Sequence, residues 1–199
     1  RIYMDTGRLE AFSDGVIAII ITIAVLLIEP PKGDALADLK ELIPLVRVYT
    51  VSFIMIGTNW ANHHQLMKIT DTVDGKIIWA NHFYLFTLSF YPVATAWVGK
   101  TNLSMLPTVV YVIVNLIESL AFIGMERLIL KEQSVAESLE KGRKERATVA
   151  LEIAALIVAL NDHIRFMAYI LLLIMTLLWI IPDLRMQKTY EQKKQKDAQ

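Results

Sequence analysis

The sequence predicts an all-α integral membrane protein with six transmembrane helices, on three observations. First, 55% of the 199 residues are hydrophobic and the mean hydropathy is positive. Second, continuous apolar runs approach the roughly 20 residues that a helix needs to cross a bilayer. Third, lysines and arginines are distributed unevenly among the segments that join those runs. The runs are continuous rather than alternating, and open strand edges cannot face lipid, so helices are the expected elements.

The segments fall at residues 12–28, 43–64, 77–99, 105–128, 147–161 and 164–182. The first carries no charge after Asp14 and ends at Pro30-Pro31, which cannot continue a helix. In the second, Pro44 lies in the first turn, where a missing N–H costs little. Pro92 lies inside the third and predicts a kink. The fourth carries Glu118 within a few turns of an end, and the fifth is the weakest, being short with Glu152 near its start. Both glutamates are expected to snorkel or to pair with a loop base. Pro182-Asp183 ends the sixth. Residues 1–184 therefore read as one six-span domain, followed by a polar, Lys-rich tail over 185–199 that is expected to be loosely attracted to anionic membrane lipids. The loop from Glu126 to Arg146 mixes charges of both signs and reads as a short solvated helix or as helix extensions.

Charge sets the orientation. With six spans, fifteen lysines and arginines lie on the side that holds both termini and four on the other. By the positive-inside rule both termini are cytoplasmic and the number of spans is even, which places the protein in the cell membrane as a multi-pass chain. The first apolar run, with its acidic cluster, reads as a retained span rather than a cleavable signal. The formal net charge of zero points to no nucleic-acid partner, and the absence of cysteine removes disulfides and thiolate metal sites.

The first helix opens with Arg8-Leu9-Glu10-Ala11-Phe12-Ser13-Asp14 and then turns wholly apolar. A carboxylate there costs up to about 2.5–3.5 kcal/mol at mid-depth and needs a partner. At 100° per residue Ile19, Ile23 and Leu26 lie at about 0°, +40° and −20°, Thr22 borders them at about −60°, and Asp14 lies at about −140°. One face is thus an apolar stripe with a hydroxyl beside it, and the acid points towards neighbouring helices. Arg8, six residues before Asp14, is expected to pair with another segment. The stripe either packs and faces lipid, with Thr22 bonding its own backbone, or forms rings around an axis that close a pore by dewetting. Periodicity does not choose between these.

The second span ends in Asn59-Trp60-Ala61-Asn62-His63-His64, and the third begins with Asn81-His82, on the same side as Asp14. These supply indole, amide and imidazole groups for an interhelical network with Ser13 and Asp14. A metal site from Asp14, His63, His64 and His82 is the competing arrangement. Adjacent histidines diverge by about 100° on a helix and no His-x-x-x-His spacing is present, so no metal is expected.

The pattern Arg8-x-x-x-Phe12-Ser13-Asp14 resembles the signature of the potassium channels typified by the endolysosomal channel of animals, and the chain is similar to a single-repeat prokaryotic member. Trp60 with His63-His64, and Asn81 with Leu85 and Pro92, are similar to the family's elements in the second and third spans. The resemblance implies a homotetramer whose first helices line a central potassium pathway. It further implies a constriction of bulky side chains, here Ile19, Ile23 and Leu26, a threonine layer at Thr22 near which K⁺ passes transiently, and a signature that holds helices together without binding the ion. No Thr-Val-Gly-Tyr-Gly filter is present. On this reading the chain is a passive cation channel without a cofactor and not an enzyme. A membrane-embedded metal-dependent hydrolase using Asp14, His63 and His82, and a cation- or proton-coupled transporter, are the alternatives.

Overall fold

In the computed structural model, which describes residues 4–132 and 142–180, the chain is helical apart from one isolated bridge between Met4 and Val73. Helix α1 (Thr6–Leu26) begins a turn and a half before the apolar run, because the Asp5 carboxylate caps it by accepting from Gly7 N at 2.7 Å. The signature residues are therefore already helical. A 3₁₀ turn at Asp38–Leu42 leads into α2 (Ile43–Lys68), with Pro44 in its first turn as expected.

The third expected segment is two helices, α3 (Gly75–Leu88) and α4 (Tyr91–Lys100). Asp74 caps α3 by accepting from Lys76 N and Ile77 N, each at 3.0 Å. Proline at position 92 has no N–H to give to Leu88, so the ladder breaks at Ser89–Phe90 and α4 restarts with Pro92 in its first turn. Asn102 and Leu103, with φ of 47° and 61°, end α4 in left-handed geometry. Helices α5 (Met105–Glu132), α6 (Arg143–Ala159) and α7 (Met167–Ile180) complete the described fold. The expected tail 185–199, the stop at Pro182-Asp183 and the middle of the charged loop lie outside the described residues.

By length and apolarity α1 and residues Met105–Lys131 of α5 can each cross a membrane, and α7 is apolar but shorter. The most extensive packing is between α6 and α7, α3 and α5, and α2 and α4, with α1 laid against α2, α3 and α4. The core mixes aliphatic side chains with three fully buried tyrosines, Tyr84, Tyr91 and Tyr111. Ser52 in α2 bonds Thr95 of α4 at 2.7 Å and Tyr111 of α5 at 2.8 Å, tying three helices at one buried hydroxyl. Glu118 and Glu152, expected to snorkel or pair with a loop base, are instead 3% and 0% exposed and face polar side chains inside the bundle, Tyr91 and Ser119 respectively. Near the other end Lys100 donates to Glu29 at 2.7 Å. That hydrogen bond, and then the ammonium charge, hold the exposed Glu29 carboxyl below its usual range; salt screens such a pair.

Helices α2 and α4 cross closely because residue 99 has no side chain. A Cβ on Gly99 would lie 2.3 Å from Leu45 Cδ1 and 2.7 Å from Leu45 Cα, so backbone would have to move. Gly99→Ala should therefore destabilise the protein by about 1–3 kcal/mol, read as a lower midpoint of thermal unfolding in detergent. Gly57→Ala, whose added carbon meets nothing within 4 Å, should leave the midpoint near that of the wild type.

Candidate functional site: the two faces of the first helix

Helix α1 buries Leu9, Ser13, Ile17, Ile20 and Ala24 against the rest of the chain. The opposite arc holds Ile19, Ile23 and Leu26, which are 57%, 43% and 77% exposed, with Thr22 among them. Taken at 100° per residue, exposed positions cover an arc of about 160° and buried ones an arc of about 80°. Thr22 donates its hydroxyl to the carbonyls of Ala18 and Ile19, at 3.1 and 2.9 Å, so its proton is committed to its own helix and its oxygen lone pairs remain outward.

The buried face is anchored by hydrogen bonds whose directions fix one another. Ser13 Oγ donates to Leu9 O at 2.8 Å, which leaves it only an acceptor for Asn81 Nδ2 at 2.9 Å. Asn81 therefore turns Oδ1 towards His63 Nε2, 2.7 Å away, and His63 must be the tautomer with its proton on Nε2. All three side chains are buried, and the His63 ring lies parallel to Tyr84 with centroids 5.7 Å apart. One residue further, Asp14 accepts from Trp60 Nε1 at 2.8 Å. Trp60 stacks on His64 at 5.8 Å, and His64 in turn pairs with Glu10 of α1. Phe12 stacks on His82 at 5.3 Å, while His82 Nδ1 bonds Ile78 O of its own helix.

The expected single network is thus three separate attachments: Ser13–Asn81–His63, Asp14–Trp60–His64–Glu10, and Phe12–His82. One holds α1 directly to α2 and two hold it to α3, the first of these running on through Asn81 to His63 of α2. Glu10 had no assigned role in the sequence, although it stands one residue before Ala11 on the turn that meets the end of α2. Arg8, expected to pair with another segment, is exposed and makes no polar contact with another described residue. The three histidines take different partners and do not converge with Asp14; among the described residues no group of three potential metal ligands forms.

The family model described as the endosomal/lysosomal potassium channel TMEM175 matches residues 8–92, from the signature arginine to the proline that breaks the third segment. A potassium channel of Chryseobacterium sp. (strain P1-3) is 35% identical over 191 residues, covering 95% of this chain and 100% of the relative. The chain belongs to the TMEM175 family. A potassium channel of Streptomyces collinus is 36% identical over 126 residues, 59% of this chain and 61% of its own length. The crystal structure of a lysosomal potassium-selective TMEM175 homolog from Chamaesiphon minutus superposes with a TM-score of 0.79, covering 88% of this chain and 96% of that one at 23% identity, and so shares the fold. TMEM175 is an ion-channel family and not an enzyme family. Its match spans all the residues that anchor α1.

The anchor predicts a stability defect. Ser13→Ala removes the acceptor for the buried Asn81 amide and should cost about 1–3 kcal/mol. Thermal unfolding in detergent should show this, whereas Arg8→Gln, on an exposed side chain, should change the midpoint little.

Proposed function

We propose that this chain is one subunit of a potassium-permeable homotetrameric channel of the cell membrane, in which α1 lines the central path. Six spans cross the bilayer, with α3 and α4 forming one broken span between them, and both termini are cytoplasmic. Ion movement is passive, driven by the membrane gradient, and needs no cofactor.

The observation that carries this reading is the exposed apolar arc of α1 opposite a hydrogen-bonded anchor. One subunit encloses no path, and rotational copies close one. Four copies allot each α1 a quarter of the circumference, about 90°, which is narrower than the exposed arc of about 160°. The centre of the arc is then free to face the axis and its flanks to meet neighbouring copies. Ile19, Ile23 and Leu26 constrict the path and close it by dewetting; Thr22 turns oxygen lone pairs to a passing K⁺ that has lost part of its hydration. Phe12, Ser13, Asp14, Trp60, His63, His64, Asn81 and His82 hold the helix in register without contacting the ion. The relatives named as potassium channels support potassium as the permeant ion.

Ile23→Asn tests the assignment. A polar ring wets the constriction, and potassium flux into liposomes should rise several-fold. Flux equal to the wild type, from variant protein of the same oligomeric size, would remove Ile23 from the path; saturable flux coupled to a second gradient would favour a transporter.

A further inference from the structure

Behind α1, the protomer core holds two carboxylates that the conduction path does not use. Glu118 is 3% exposed on α5 and Glu152 is 0% exposed on α6. Neither has an ion-pair partner among the described residues; Ser119 donates to Glu152 Oε1 at 2.6 Å, and Glu152 Oε2 has no partner. Two ionised carboxylates side by side without a cation are not tolerated in an apolar, membrane-embedded bundle.

The surrounding geometry identifies the one that is neutral. Asn115 Nδ2 donates to Tyr111 O at 2.7 Å, so Asn115 turns Oδ1 towards Tyr91 Oη, 2.8 Å away. A tyrosine hydroxyl has one proton, and here Asn115 takes it. Glu118 Oε2 lies 3.4 Å from the same Tyr91 oxygen, beyond ordinary O–H···O length, so an ionised Glu118 would receive no committed proton from Tyr91. Glu118 lines a cavity of about 20 Å³ with Asn59, Asn62, Ser119 and Thr148 on its polar side and apolar side chains, Phe122 and Met175 among them, on the other. That space exceeds the roughly 10–15 Å³ that one water needs, and several polar side chains reach it.

We propose that each subunit binds one exchangeable proton on Glu118, off the face of α1, with the adjacent cavity holding the water through which the proton enters and leaves. The ligand is a hydron rather than a metal cation: both hydroxyls at the cavity are already engaged, Thr148 by Trp179 Nε1 at 2.7 Å and Ser119 by Glu152, and among the described residues no group of three potential metal ligands forms. Every packed element is accounted for. His63 of α2 faces Asn81, Tyr84 of α3 and Tyr91 of α4 are neutral phenols, and α7 presents Trp179. The other charged groups are Glu126 at the end of α5, and Glu145 and Lys144 at the start of α6, with Lys144 Nζ lying 5.7 Å over the Trp179 ring at the cavity wall. The site also adjoins the anchor of α1, since Asn59 lines the cavity beside Glu118 and the next residue, Trp60, holds Asp14. The proposal rests on α5 being a span, and not on α1 lining the path.

The test is the infrared spectrum of the protein in liposomes, which reads protonation without reading flux. A neutral carboxylic acid C=O band should be present, should shift in heavy water, and should be lost in Glu118→Gln but kept in Glu152→Gln. It should be unchanged when sodium replaces potassium at fixed pH. No such band in the wild type, a band indifferent to heavy water, loss in Glu152→Gln with retention in Glu118→Gln, or loss on exchanging the cation would each overturn the proposal. The wild-type arms stand even where a variant fails to fold.

Discussion

Hydrogen bonding without water governs the head of the first helix. Ser13, Asn81 and His63 are buried polar groups in a bundle whose surroundings are apolar, and each group left unpaired there would cost several times what its bond contributes. The bonds are consequently linked in direction: the serine proton goes back to Leu9, the amide must then donate to serine, and the imidazole must donate to the amide. Of the three, the Ser13–Asn81 bond is the one that sets the rotation of α1 about its axis. That rotation also brings Asp14 to Trp60 and Phe12 to His82, and it leaves Ile19, Ile23 and Leu26 facing out of the protomer.

The costly residues at the mouth of the helix thus orient it, and the apolar stripe is what they orient. The division recurs across the fold. Proline at position 92 breaks the third apolar segment so that α3 presents Asn81 and Tyr84 to the anchor, while α4 runs close against α2 at Gly99. The second half of the chain supplies a separate polar interior, from Tyr91 and Asn115 to Glu118, Ser119 and Glu152. Its hydrogen bonds follow the same one-proton accounting, and they lead to a different kind of site, one for a proton rather than a passing metal ion.

Much of this was legible in the sequence. Continuous apolar runs located the helices, Pro92 marked the break, and helical angle alone separated Asp14 from the Ile19–Leu26 stripe. Pairing between helices was not legible, because periodicity gives the face of a residue but not the height of its neighbour. Trp60 and His63 stand three residues apart and read as one cluster; three residues is nearly one turn, and the two rings meet different acceptors on different helices. Arg8 was expected to pair with another segment because its spacing from Asp14 is not i,i+4, yet within the protomer it lies on an exposed turn. Glu118 and Glu152 looked close enough to the helix ends to snorkel. Polar neighbours inside the bundle, Ser119 for Glu152 and Tyr91 for Glu118, meet them there instead. The early start of α1 had a visible cue in Asp5, which the apolar run alone does not reveal.

The claim at the centre of this account is that α1 turns its Ile19–Leu26 arc to the ion path. The chain has no cysteine, so single cysteines placed from position 16 to 26 can be titrated with a charged, membrane-impermeant thiol reagent while current is recorded. Block at Ile19, Thr22, Ile23 and Leu26, with silence at Ile17, Ile20 and Ala24, is the result the account predicts. Reaction on the Ile17–Ala24 face, or no reaction at any position along an arc that lipid covers, would contradict it.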